Sequence, residues 1–160
     1  ETGADRHDRV AVRRHARDLA GRGVAAGAAD IFDEELLAEI VGQLLGHDAG
    51  DGVLQESAAR IRNCVRAQDT VVRMGGDEFA VFLPRPQAPE TLENIAERLL
   101  DAFREPFDIN GEKVVANLSI GGAIAPQAGN DRVALLRRVD EALYQAKKEG
   151  RNRFISRAPS

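Results

Sequence analysis

The stretch TVVRMGGDEFAVFLP at residues 70–84 constrains the fold more than any other part of this 160-residue chain. Two runs rich in Val and Phe flank Gly75-Gly76-Asp77, which predicts strands at Thr70–Met74 and Glu78–Leu83 joined by a tight turn. A lone hairpin is marginal in water and needs other elements to cover its apolar face. The composition can supply them: 43% of residues are hydrophobic and 30% charged, a normal balance for a globular domain. The length suits one domain spanning residues 1–160.

The rest of the chain alternates helical and strand patterns. Residues 9–20 have helical spacing and end at Gly21-Arg22-Gly23, and Val24–Phe32 reads as a weak strand of small residues. Asp33 suits the N-cap of a helix whose Leu36, Leu37, Ile40, Val41, Leu44 and Leu45 form an apolar face. GHDAGDG at 46–52 predicts a Gly-rich turn before a helix over Val53–Arg66. A Pro-rich loop (Pro84, Pro86, Pro89) precedes a helix at Thr91–Arg104. Asn110-Gly111 predicts a hairpin joining Phe107–Ile109 to Lys113–Val115. A strand at Leu118–Ala125, a long amphipathic helix at Asp131–Lys148 and a short strand at Arg153–Ile155 complete the chain. Two adjacent strand pairs among irregularly spaced helices predict an α+β fold with a mostly antiparallel or mixed sheet flanked by helices.

Charge and cysteine content narrow the setting. With a formal net charge of −4, nothing in the bulk electrostatics argues for nucleic acid or an anionic membrane as partner, and neither is expected. Basic residues nevertheless cluster at Arg6–Arg22 and Lys147–Arg157, where they can serve a phosphate-bearing substrate. The single cysteine, Cys64, rules out an internal disulfide and fits a reducing compartment. The sequence has no apolar run long enough to span a membrane, and its start lacks a signal-peptide pattern. The expected location is cytoplasmic, either free or as the cytoplasmic part of a membrane-anchored protein. The Arg-rich start without methionine suggests a domain excised from a longer signalling chain.

Two glycines followed by two carboxylates is an uneconomical way to build only a turn. Gly75 and Gly76 leave room for a bulky ligand beside the backbone. As strand-like neighbours, Asp77 and Glu78 point to opposite faces, so one can hold a divalent metal while the other contacts substrate. Taken alone, the tetrapeptide equally fits a solvated turn.

The surrounding residues favour a functional reading. RAQDTVVRMGGDEFAVFLP (66–84), GHDAGDGVLQ (46–55), NLSIGGAIAP (117–126) and DEALYQAKKEGRNRF (140–154) together resemble the GGDEF family, the diguanylate cyclases. The opening ETGADRH is similar to that family's TGLPNR segment. The resemblance implies a cyclase-like α+β fold in which two GTP-loaded domains meet as a homodimer and form cyclic di-GMP with release of two pyrophosphates. It implies Mg²⁺ as cofactor, with Asp77 and Glu78 catalytic and Asp77 a metal ligand. Gly75 and Gly76 then approach the substrate, Asp51 pairs with the guanine edge, and Lys147 and Arg151 bind the terminal phosphates. An upstream sensor domain is the expected covalent partner. Arg66 and Asp69 match an RxxD inhibitory site for cyclic di-GMP, five residues before the glycine pair in the order the family uses. Without the family, that RxxD would read as an ion pair at a helix end, and Lys147 and Arg151 as partners of a helix dipole.

The resemblance breaks between residues 30 and 45. The family has a DxDxFKxIND-like segment there, with an Asp for the metal, a Lys for the triphosphate and an Asn for guanine. Counting back from Gly46 without gaps sets Glu34 at the metal position, Ala38-Glu39 at Phe-Lys and Gly42 at the Asn. A shift of one residue offers Asp33 as the metal ligand instead. Either register lacks the lysine and the asparagine. An acid beside a triphosphate opposes binding, and an unpaired guanine edge costs about 1–3 kcal/mol. The expectation is therefore weak or absent turnover, with a non-catalytic module binding cyclic di-GMP or GTP as the alternative.

Overall fold

A computed structural model of the chain describes residues 26–33, 41–43, 45–84, 90–124 and 132–156, with 26–33 described by their backbone. The expected helix over 9–20, the Pro-rich loop at 85–89 and most of the helix expected after Asp33 lie outside the described residues. Ten elements follow in the order β1 (Ala26–Asp33), α1 (His47–Cys64), β2 (Thr70–Gly75), β3 (Glu78–Pro84), α2 (Glu90–Arg104), β4 (Phe107–Ile109), β5 (Glu112–Val114), β6 (Leu118–Ile124), α3 (Arg132–Lys148) and β7 (Phe154–Ser156). Residues 41–43 and 45 are also helical.

Five strands form one mixed sheet in the order β2-β3-β1-β6-β7. Neighbours are antiparallel except β6 and β7, which run parallel. The period of two along each strand decides what covers the two faces. From β3, Phe79, Val81 and Leu83 enter the main core with Ile61 of α1 and Leu92, Ile95 and Leu99 of α2. The other face is covered by α3, where Leu135 and Val139 meet Ala123 and Phe82. The α+β architecture expected from the strand and helix pattern is the one observed.

The contact between α3 and β6 is unusually close. A Cβ on Gly121 would lie 2.4 Å from the Leu143 backbone nitrogen and 2.5 Å from the Val139 carbonyl oxygen. Only glycine lets the helix backbone rest against the strand there. On the opposite face, the β4–β5 hairpin and the end of α2 are held to α1 by Arg60. Its guanidinium lies 3.9 Å from the Phe107 ring centroid, donates to the Ala102, Glu105 and Pro106 carbonyls, and pairs with Glu56 at 2.9 Å. These bonds satisfy carbonyls left over at the end of α2.

Three of the boundaries that differ from expectation have a local cause. The GHDAGDG segment is helical from His47 onward, because Gly46 alone (φ 99) makes the bend into α1. Gly50 is buried inside the helix, so close packing there outweighs glycine's poor helix propensity. The second hairpin closes one residue earlier than expected, with Ile109 opposite Glu112. Positive φ at both Asn110 (54) and Gly111 (86) makes a two-residue turn that leaves no spacer before β5. The closing strand lies at Phe154–Ser156, one residue later than expected, because the turn after α3 extends through Arg153.

Candidate functional site

The β2–β3 hairpin is irregular in a way that serves a site. Arg73 pairs with Phe79 and Gly75 with Glu78, so the register slips between Arg73 and Gly75. Gly76 has φ 54, and a Cβ added there would meet nothing within 4 Å. Its glycine is needed for the left-handed turn and also leaves open space beside the backbone. Asp77 is a turn residue and not a strand residue, so the opposite-faces argument for Asp77 and Glu78 fails: alternation begins only at Glu78. Arg73 Nε donates to the Gly76 carbonyl at 2.8 Å, which braces the loop carrying Asp77.

An open-sided groove of about 290 Å³ lies between this hairpin and α1, lined by Leu54, Gln55, Ala58, Val71, Arg73 and Phe79. Its floor is mostly apolar, with Gln55 and Arg73 as polar groups, a combination that suits a flat heteroaromatic ring. Asp51 is exposed on α1, one helical turn before Leu54 and Gln55. Spacings of three and four residues put it on the same stripe as the groove-lining residues.

The second half of the candidate site follows α3. Arg151 N donates to Ala146 O at 3.0 Å and Gly150 N to Lys147 O at 3.5 Å, the bond pair of a Schellman ending with Gly150 at φ 110. Arg151 (φ 59) and Asn152 (φ 48) are also left-handed. Two consecutive non-glycine residues in that region cost about 1–2 kcal/mol each. Such a turn persists only where surrounding contacts dictate it, and it fixes where the Arg151 side chain leaves the backbone. Lys147 lies on the last turn of the helix and Arg151 just past it.

Strand register brings these parts to one end of the sheet. Ile31 pairs with Phe79, which puts the end of β1 beside the start of β3 and the turn that carries Asp77. Asp33 also pairs with Leu118, at the same end as Ile120, whose N–H bonds the Arg153 carbonyl at 2.9 Å. With neighbouring strands about 4.8 Å apart, the hairpin and the post-α3 turn lie on the order of 14 Å from each other. Asp33 is the last residue of β1 rather than the residue after it. Glu34 lies outside the described residues. Among the described residues, no group of three or more His, Cys, Asp or Glu side chains could hold a metal ion. Asp77, on the turn at this end of the sheet, is a carboxylate, a hard oxygen donor of the kind Mg²⁺ takes, so its chemistry fits that ion.

Arg66 and Asp69 form a separate feature at the far end of β2, on the order of 20 Å from Gly75 at strand rise. The sequence allowed a surface ion pair here, but the geometry differs. Asp69 is only 5% exposed; its Oδ2 accepts the Arg66 backbone N–H at 2.7 Å, and its own N–H bonds the Arg66 carbonyl at 3.0 Å. Arg62 donates to the Asp69 carbonyl at 2.8 Å. The Arg66 side chain is exposed and makes no hydrogen bond or ion pair among the described residues. Sequence reasoning missed Arg98, which reaches from α2 to the Asn63 carbonyl at 3.5 Å and sits beside Cys64. Its signal is faint, since an exposed arginine on an amphipathic helix looks like any solvated residue. Burial pushes the Cys64 thiol up from its ordinary pKa, and the nearby Arg98 charge offsets this in part.

Acids on a hairpin and cations after a helix lie at one end of a mixed sheet in an α+β domain. The family model for "Diguanylate cyclase, GGDEF domain" matches residues 39–153, and the chain belongs to the GGDEF family. The chain is 42% identical over 114 residues to the bifunctional diguanylate cyclase/cyclic di-GMP phosphodiesterase MucR of Pseudomonas aeruginosa, covering 71% of this chain and 16% of MucR. It is 36% identical over 119 residues to the cyclic di-GMP phosphodiesterase PdeR of Escherichia coli, covering 74% of this chain and 18% of PdeR. The crystal structure of the GGDEF domain of TpbB (YfiN) from Pseudomonas aeruginosa superposes with a TM-score of 0.79 at 31% identity, covering 95% of this chain and 94% of that one. The chain thus spans less than a fifth of the length of these two curated relatives. Among the described residues, no helix is long and apolar enough to cross a membrane.

Proposed function

We propose that this chain is the GGDEF domain of a cyclic di-GMP signalling protein. It takes GTP with Mg²⁺ at the hairpin end of its sheet and turns it over weakly or not at all. What supports this reading is that the turn carrying Asp77, the end of β1 and the turn after α3 lie at the same end of the sheet, as the ladders 31–79, 33–118 and 120–154 run. Asp77 and Asp33, or the neighbouring Glu34, are the residues that would hold Mg²⁺, which when bound neutralises the triphosphate. Lys147 and Arg151 take the terminal phosphates and stabilise the departing pyrophosphate. The open backbone at Gly75 and Gly76 lets the nucleotide pass, and Asp51 accepts from the guanine edge above the groove. Glu78, beside Asp77, is the second catalytic carboxylate. Complete turnover joins two GTP molecules: each ribose 3′-hydroxyl attacks the other's α-phosphate, giving cyclic di-GMP and two pyrophosphates. That step requires a second GGDEF domain face to face with the first.

The altered segment at 30–45 argues for slow turnover, since a lysine and an asparagine of the family pattern are absent. A regulatory reading has its own support. Asp69 spends one oxygen and its N–H on shaping the Arg66 turn, and the Arg66 side chain is exposed. A guanidinium presented in this way suits the phosphates and guanine edges of cyclic di-GMP. The domain then acts through an attached sensor or effector in a cytoplasmic setting.

Incubation with GTP and Mg²⁺, followed by chromatography, tests the first part, and robust cyclic di-GMP would overturn the slow-turnover reading. Calorimetric titration with cyclic di-GMP tests the second. Identical isotherms for wild type and Arg66→Ala would remove Arg66 from that site.

A further inference from the structure

We propose that Arg153 is a positioning residue for the phosphate-binding Arg151, acting through the backbone of the turn after α3. The inference rests on the GTP reading above and deepens it. Arg153 Nε donates to the Arg151 carbonyl at 3.2 Å. Its Nη1 lies 3.5 Å from Glu149 Oε2, and Glu149 Oε1 accepts from Gln145 Nε2 at 2.6 Å. Its Nη2 lies 3.4 Å from where a Cβ on Gly150 would sit. The guanidinium is therefore folded back over the turn, with its donors directed at residues 149–151.

Gln145, Glu149 and Arg153 form a chain of hydrogen bonds and charge that runs from the last turns of the helix onto the turn beyond it. Arg151 lies within that turn, and the chain ends on its carbonyl. The bracing matters because Arg151 and Asn152 both hold left-handed φ values of 59 and 48, which non-glycine residues keep only under constraint. Capping Arg151's carbonyl while the Schellman bond caps its N–H at 3.0 Å ties down both polar groups of that residue. A guanidinium suits this task because its planar fork can reach a carbonyl and a carboxylate at once, whereas a lysine ammonium is a point charge on a flexible stem.

The test is calorimetry in Mg²⁺ with two probes, guanosine and a GTP analogue carrying a methylene α,β-bridge, on wild type, Arg151→Ala, Arg153→Ala, Arg153→Lys and the 151/153 double variant. Positioning predicts that Arg153→Ala weakens the GTP analogue roughly three- to tenfold, the scale of one lost hydrogen bond, and leaves guanosine unchanged. It also predicts that the double variant is no weaker than Arg151→Ala alone. Arg153→Lys should resemble Arg153→Ala, since it keeps the charge and loses the fork. Full recovery in Arg153→Lys, or additive losses in the double variant, would mean that Arg153 acts by charge, and the proposal falls. Equal weakening of guanosine would mean a general folding defect and also overturns it. Glu149→Ala supplies an independent sign: removing an acid near a triphosphate should tighten binding, but releasing the Arg153 anchor should weaken it. Tightening refutes positioning. If Arg151→Ala itself leaves the analogue unaffected, the phosphate role of Arg151 fails, and that outcome is distinct from a silent Arg153→Ala beside a sensitive Arg151→Ala.

Discussion

Replacing Gly121 by alanine probes the closest contact in the fold. The added methyl carbon would sit 2.4 Å from Leu143 N, 2.5 Å from Val139 O and 2.7 Å from Leu143 Cβ, whereas ordinary contact begins at about 3.4 Å. Two of the three atoms are helix backbone, so no change of rotamer relieves the clash, and α3 must back away by about 1 Å. Leu135 and Val139 of that helix pack against Ala123 and Phe82, and the displacement opens this layer. Overpacking of a well-filled core costs about 1–3 kcal/mol, and a backbone clash belongs at the upper end. For a domain of this length, about 3 kcal/mol lowers the melting temperature by roughly 6–12 °C. Gly122→Ala is the internal control. Its methyl would lie 2.7 Å from Phe154 Cε2 and 2.8 Å from Leu92 Cδ2, the far ends of side chains that can turn aside. Differential scanning calorimetry should rank Gly121→Ala well below Gly122→Ala. The reasoning fails if Gly121→Ala melts within a degree of wild type, or if the order is reversed.

Other expectations follow from single contacts. Arg60→Ala strips three carbonyls and two aromatic rings of their partner, so it should lower stability by about 2–3 kcal/mol in urea unfolding; a change below half of that would mean that water replaces it. Cys64 is buried and its thiol is pushed up, so the folded chain should react slowly with iodoacetamide at pH 7.5 and the unfolded chain fast. Labelling of the folded form at the rate of a free thiol would contradict that burial. Asp108 is held below the usual carboxylate range by the Lys113 ammonium and the Gly111 N–H. Its contribution is fully present above the ordinary aspartate value of about 3.9 and is lost as pH falls through the lower folded value. NMR titration of its carboxyl carbon should give a midpoint below that ordinary value, with no change across neutral pH.

Much of this protein was legible where the signal is local. Asn110-Gly111 and Gly75-Gly76 marked hairpins because their turns need positive φ, and the coordinates give 54 and 86 at the first and 149 and 54 at the second. The apolar spacing of 91–104 and 131–148 marked helices, since one stripe must face the sheet, and the helices observed are Glu90–Arg104 and Arg132–Lys148. The start of α1 was misread for the reverse reason. Gly50 and Gly52 look like breakers to any local rule, and only packing overrules their propensity. Without the family pattern Asp69 reads as half of a surface pair, yet it is buried, and that burial depends on how the end of α1 meets β2, which neighbouring residues do not encode.

By itself, then, the sequence determined which residues can turn, which faces must be buried, and which family's motifs the chain carries in order. Tertiary structure alone decided that the turn carrying Asp77, the end of β1 and the turn carrying Arg151 lie at one end of the sheet, although dozens of residues separate them along the chain. Backbone dihedral preferences act over a few residues and survive in any local reading. Ladder register and layer packing join strands far apart in sequence, so the site they assemble exists only once the whole sheet has closed.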